Sequence, residues 1–399
     1  MDANPTFRPL TFPMHRYRAY SGGVRTPLWS VLGLALAAQR GRRLSRYSWP
    51  AMELLIAACC LSAQSPVTVG DHILWERDFA DLSAETAVAD HDGNLWIVSQ
   101  YRGADRLVCI KPNGEMRVNT ELPAEIKPVF PAESLSSGLA ISSSGAIALL
   151  ARYSHGGREI SFDGANFAAV NSDGKLGPVR KVAGSGPDYK GFIALDDGHF
   201  LVLGDQSPMV VIKIRDDGAV VWRRTFPSNW VLPSAAALES GSSCVISPDY
   251  KRPLLHMIWI DGTGEVRHRE QLVGHRSQAV SHTDVCTILY SQSAARYQSK
   301  YFLTSFDRTF RRVWTVGVLD SAPSGGQYTM AALADGYVVA IAAETGLFLA
   351  KYAPTGRLLW SATDPSRRPP DFLVASGDGY YLVGAGLKDR YSLHVIRAH

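Results

Sequence analysis

One unit recurs along this chain, and its spacing restricts the fold more tightly than any other property. Apolar runs that follow an acidic or small turn appear seven times: DGNLWIVS (92–99), SGAIALLA (144–151), DGHFLVLG (197–204), SGSSCVIS (240–247), DVCTILYS (284–291), DGYVVAIA (335–342) and DGYYLVGA (378–385). Six carry Gly at the turn, at 93, 145, 198, 241, 336 and 379, where a tight hairpin calls for positive φ. Four residues earlier stand Ala89, Ile141, Ala194, Ala237, Ala332 and Ala375, with Ser281 in the comparable place of the fifth copy. Small residues at one repeated position mark a crowded place. A second series follows each hairpin and ends in turns at 114, 174, 218, 264, 310 and 356. These lie 44 to 46 residues apart, except for the gap of 60 between 114 and 174. That gap holds LPAEIKPVFPAES (122–134) and YSHGGREISFDG (153–164), both read as long loops. No segment shows a helical period. Four short strands repeated at this length predict an all-β, seven-bladed β-propeller of four-stranded antiparallel blades.

The count closes on itself. The seventh unit ends with SLHVIRAH (392–399), where Ile396 takes the place of Ile214 and Tyr352, and its fourth strand is missing. HILWERDF (72–79) is a fourth strand without a repeat before it. Trp75 lies four residues past Asp71, as Trp222, Trp314 and Trp360 lie four past their turns. The N-terminal strand is therefore expected to complete the last blade and remove an open edge. The expected domains are a leader, 1–64, and a propeller, 71–399.

Charge separates these two parts. Residues 1–64 contain eight Arg, no Lys and only Asp2 and Glu53, a net +6 against +4 for the whole chain, so the remainder carries −2. A propeller without a basic field is not expected to bind nucleic acid. The leader contains TPLWSVLGLALAA (26–38) and AMELLIAACCLSA (51–63), each behind basic residues and each too short to span a membrane. Both suit the apolar region of a secretory signal. IAAC (56–59) resembles a lipoprotein lipobox, which implies lipidation at Cys59. The expectation is an extracytoplasmic protein, periplasmic or secreted, whose only membrane contact is an N-terminal anchor. Cys109, Cys244 and Cys286 have no metal spacing and read as buried small apolar residues.

KYAPTGRLLW (351–360) and IRDDGAVVW (214–222) resemble the repeats of pyrroloquinoline-quinone-like and related bacterial propellers, and DHDGNLWIV (90–98) resembles those of sensor-kinase propellers. The resemblance covers residues 71–399 and implies the fold. In quinoprotein dehydrogenases a Trp near the end of each repeat docks between blades. Trp75, Trp222, Trp314 and Trp360 match it, with Val118 and His268 at or near that place in two other blades.

Propeller sites are expected on the face built by the loops between second and third strands and between successive blades. The first kind offers Arg102, Tyr153, His155, Arg158, Asp249, Tyr250, Arg252, Arg296 and Arg390; the second offers His275 and Tyr328. Arg and Tyr suit recognition because they combine contact area with directional bonds. His268, His275 and His282 recur every seven residues but fall on an outer strand, a loop and an inner strand, so no metal site is expected. Asp249 with His275 is an acid–base pair by proximity of blades alone, and no nucleophile elbow is present. The expected function is an exported, non-catalytic, monomeric propeller without a cofactor that binds a protein or extracellular ligand through its loop face. The alternative is a propeller enzyme, either a quinoprotein-like oxidoreductase or a hydrolase or lyase.

Overall fold

The computed structural model describes residues 68–399, apart from 102–103, 124–125, 127–137, 143–144, 156–160, 183–188, 205–207, 296, 378 and 386–391. The expectations for the leader and Cys59 lie outside the described residues. Among the described residues no helix is long and apolar enough to cross a membrane.

A 3-10 turn (Val69–His72) leads into β1 (Ile73–Ala80). Blade 1 comprises β2 (Ala84–Ala89), β3 (Leu95–Tyr101), β4 (Ala104–Ile110) and β5 (Met116–Glu121). Blade 2 comprises β6 (Gly138–Ile141), β7 (Ile147–His155), β8 (Ser161–Val170) and β9 (Arg180–Val182). Blade 3 follows with β10 (Tyr189–Ala194), β11 (Phe200–Gly204), β12 (Val210–Ile214) and β13 (Val220–Thr225). Blade 4 has β14 (Ser234–Leu238), β15 (Ser242–Pro248), β16 (Leu254–Ile260) and β17 (Val266–Val273). Blade 5 has β18 (Arg276–His282), β19 (Val285–Ala295), β20 (Gln298–Phe306) and β21 (Arg312–Pro323). Blade 6 has β22 (Tyr328–Leu333), β23 (Gly336–Ala343), β24 (Gly346–Tyr352) and β25 (Leu358–Asp364). Blade 7 is β26 (Phe372–Ser376), β27 (Gly379–Ala385) and β28 (Ser392–Ala398), completed by β1, which pairs antiparallel with β28 from Ile73↔Ala398 to Ala80↔Ser392. Each innermost strand adjoins the next, and β26 adjoins β2, so the ring of seven blades closes. The seven-bladed propeller read from the repeats is the observed fold, with its N-terminal strand as predicted.

The strand pattern explains the ring. Side chains alternate between the two faces of a strand, and both faces of a blade are covered by neighbours, so the middle strands are apolar almost throughout. In β11, Phe200 and Val202 pack toward blade 2, while Leu201 and Leu203 pack toward blade 4. Seven apolar clusters result, one in each gap between blades. The cysteines of the body are buried and free, as expected. Innermost strands are also stitched by polar side chains: the Ala279 N–H donates to Ser234 Oγ (3.0 Å), the Leu373 N–H to Thr329 Oγ1 (3.2 Å), and Gln278 exchanges two bonds with the Met330 backbone.

The outermost strands carry a repeated irregularity. Just past the turn that precedes it, the outer strand of blades 1, 3, 4, 5, 6 and 7 has a register shift of the bulge type. The bulge turns the following side chain toward the next blade. Trp75, Trp222 and Trp314 each donate an indole N–H to a turn carbonyl there: Pro112 O (2.6 Å), Gly262 O (3.1 Å) and Pro354 O (2.9 Å). Trp360 has no such turn opposite it and instead stacks on His72 at 4.2 Å.

Two expectations need correction. Five of the six turn glycines take positive φ, but Gly379 does not; Gly377 takes that role, and a Cβ at 379 would collide with the Ala398 carbonyl. In the segment 153–164 the described residues are strand, because β7 and β8 stay paired as far as His155↔Ser161. Its glycines and charges hid the pairing.

Candidate functional site

Concavities among the described residues on the face that bears the interblade loops include two of substantial volume. The larger, about 720 Å³, lies in the outer part of the gap between blades 3 and 4. It forms because β13 ends at Phe226 and the chain crosses to β14 through Pro227, Asn229 and Trp230. Trp230 is buried in a stack of three rings, 5.6 Å from Phe226 and 4.4 Å from His256. His256 sits on the side of β16 that faces blade 3, two residues before the core residue Ile258.

Asp249 anchors this arrangement. It is buried, and its carboxylate accepts from Asn229 Nδ2 (2.6 Å), the Lys251 N–H (2.8 Å) and, at 3.4 Å, His256 Nε2. Burial alone would raise the Asp249 carboxyl; the Lys251 N–H, His256 and Asn229 outweigh it and hold it below the usual range. With the ring proton on Nε2, His256 Nδ1 accepts from Gln271 Nε2 (3.4 Å). Gln271–His256–Asp249–Asn229 is thus a chain of polar groups that satisfy one another. It shapes the groove and offers no free base to it. The groove presents Lys251, Arg252 and Arg269 instead, and none of these forms an ion pair with a described carboxylate.

The second concavity, about 360 Å³, lies at the axial mouth, where β18, β22 and β26 begin. Arg276, Gln327, Tyr328 and Asp371 line it. Gln327 Nε2 donates to Asp371 Oδ1 (2.8 Å). Crowding removes water from the Asp371 carboxyl and raises it, against the lowering effect of Gln327. Burial likewise raises the Tyr328 phenol.

Of the eleven loop-face residues read from the sequence, Asp249, Tyr250 and Arg252 share one loop beside the groove, and Tyr328 lines the mouth. Tyr250 is exposed at the loop tip, with Lys251 Nζ 5.4 Å from its ring centre. His275 is not the partner of Asp249: its Nε2 lies 2.9 Å from Ser293 Oγ, and the Asp249 partner is His256. The backbones of Tyr153 and His155 belong to β7, and Arg102, Arg158, Arg296 and Arg390 lie outside the described residues. His268, His275 and His282 do not converge, and no described group of His, Cys, Asp or Glu could hold a metal ion. His256 and Gln271 lie on strands and Asn229 in the crossover loop, and none of the three belongs to the loop residues expected from the sequence. The only signal was a polar residue at an interblade position of a third strand.

No family model and no curated protein matches the sequence. Among solved structures, a protein of unknown function from Bacteroides caccae aligns at 14% identity, TM-score 0.40, over 70% of this chain and 93% of its own. BamB from Moraxella catarrhalis aligns at 11% identity, TM-score 0.46, over 82% and 99%. The β-propeller domain of Myceliophteria thermophila Cps50 (Swd1) aligns at 10% identity, TM-score 0.52, over 82% and 99%. This last likeness supports the propeller fold, and at such identity it speaks to the fold alone.

Proposed function

We propose that this protein is a non-catalytic binding propeller of the extracytoplasmic space that engages a protein partner across the loop face of blades 4 and 5. One observation carries the reading. Leu232, Tyr250, Val273 and Tyr297 are 50, 61, 59 and 72% exposed, and all four lie in or beside loops of that one face. Large apolar side chains gathered on a loop face, among Lys and Arg, fit recognition better than solubility. Placement outside the cytoplasm rests on the signal-like leader. Kinship with pyrroloquinoline-quinone-like repeats belongs to the same proposal, and the indole bonds of Trp75, Trp222 and Trp314 to neighbouring blades support it.

The test is site-specific photo-crosslinking in the native cell. A photoreactive amino acid at Tyr250 or Tyr297 is expected to capture a discrete protein. The same group at Val221 or Leu359, exposed on outer strands, is expected to capture none. Equal capture from both sets, or none from either, defeats the proposal.

A further inference from the structure

We infer that the groove between blades 3 and 4 receives an extended acidic segment of a partner protein, with its carboxylates on Arg252, Arg269 and Lys251 and its apolar side chains along the blade 4 rim. This rests on the loop-face reading and names the chemistry of the partner.

Charge is the first ground. The groove exposes three cations, while its buried acid, Asp249, is already held by Asn229, Lys251 N–H and His256. Among the described residues Glu270 is the only other acid along the groove, and it lies 3.8 Å from His268 Nε2. The lining thus sets three cations against two acids and is net positive, and the cations are exposed whereas Asp249 is buried, so an anionic occupant meets the positive groups first.

Shape is the second ground. Arg269, Gln271 and Val273 project from the same side of β17, which alternation requires. From Arg269 to Val273 is four residues, about 13 Å along the strand. The basic and apolar features are thus spread along an open cleft and do not converge on one point. A compact anion would use one end of such a cleft, whereas an extended chain matches its length.

Rigidity is the third ground. The Phe226–Trp230–His256 stack and the Gln271–His256–Asp249–Asn229 chain fix the floor before anything binds. A floor that needs no rearrangement lowers the ordering cost of binding.

The experiment uses the full chain and a random library of peptides about twelve residues long, divided into acidic, neutral and basic pools. The acidic pool is expected to yield the binders. By fluorescence anisotropy, Arg252→Glu together with Arg269→Glu is expected to weaken the best of them about ten-fold or more, and raising salt from about 0.05 M to about 0.5 M to weaken it further. Both side chains are exposed, so an unchanged thermal midpoint shows that the variant folds. The inference fails if no pool yields a binder, if binders come equally from all pools, or if charge reversal leaves the affinity unchanged. An inorganic phosphate competitor that displaces the peptide completely would also overturn it, since a simple anion site would then explain the data. If crosslinking at Tyr297 succeeds while these outcomes fail, the loop-face reading stands and only the acidic segment falls. If both fail, both readings fall.

Discussion

His268 and Phe310 exchange the sizes of a pair used elsewhere in the ring. Between blades 3 and 4, and between 5 and 6, a Trp covers a turn glycine so closely that a Cβ at Gly264 or Gly356 would lie 2.7 Å from Trp222 or Trp314. Between blades 4 and 5 the smaller imidazole leaves space, and Phe310 fills it despite a φ of 61°. Its ring stacks 4.6 Å from His268 and meets Trp259 edge-on at 4.2 Å. Phe310→Gly is expected to cost about 1–3 kcal/mol, because the cavity outweighs the relief of backbone strain. His268→Trp alone is expected to cost about 1–3 kcal/mol by overpacking. The double variant should recover at least about 1 kcal/mol of their sum, because the added indole occupies the vacated space. Urea denaturation of the three variants decides it, and additive costs would refute the exchange. The repeat spacing made the two positions legible singly. Their coupling was not, since it depends on which blades face each other.

At the scale of the element, β1 decides whether the ring is closed. It adds Ile73 to the gap facing blade 6, and Trp75 and Phe79 to the gap facing blade 1, on either side of a bulge. Arg367 clamps it with a bidentate bond to Glu76 (2.7 and 2.9 Å), and His394 Nδ1 lies 2.7 Å from Asp78 Oδ1. Removing β1 loses the partial burial of Ile73, Trp75 and Phe79, each worth a fraction of the about 1.5–3 kcal/mol of full burial, and leaves β28 as an open edge. Deletion of residues 1–79 should therefore lower the thermal midpoint far below that of a chain lacking only 1–64. Equal midpoints would contradict closure by β1. This element was legible because Ile396 occupies a repeated place with no strand after it. The pairing of β7 and β8 as far as His155↔Ser161 was not, because the sequence between those residues carries glycines and charges that resemble a loop.

At the scale of the whole molecule, the propeller is a ring of wedges whose turns and joints hold ionised carboxylates. Glu76 is held below the usual range by Arg367. Asp261 is held at about 2: burial opposes this, and bonds from Thr263, Glu265 N–H and Arg267 outweigh it. Asp197, Asp249 and Asp364 are lowered in the same way, donors outweighing burial. A carboxyl with a depressed folded pKa adds stability above its unfolded value, near 4, and that stability is lost as pH falls through the folded value. Asp371 and Glu239 are raised and act in the opposite sense, but they are the minority among the described carboxyls with resolved shifts. Denaturant midpoints should hold from about pH 7 to about pH 5 and fall steeply between about pH 4 and about pH 2. A flat profile over that range would refute the role of these joints. Asp261 sits in a local turn that its sequence DGTGEVR announces, whereas Glu76 and Asp249 meet distant donors that only the fold brings together. The way blade 7 is completed also sets a schedule. Asp78 and His394 are 316 residues apart, so on the ribosome β1 emerges before the other described strands and finds its partner last. At cellular elongation rates that wait is on the order of tens of seconds. Throughout it a strand with uncovered Ile73, Trp75 and Phe79 and free backbone edges trails from the growing polypeptide, and the nascent protein depends on whatever shields it until β28 arrives.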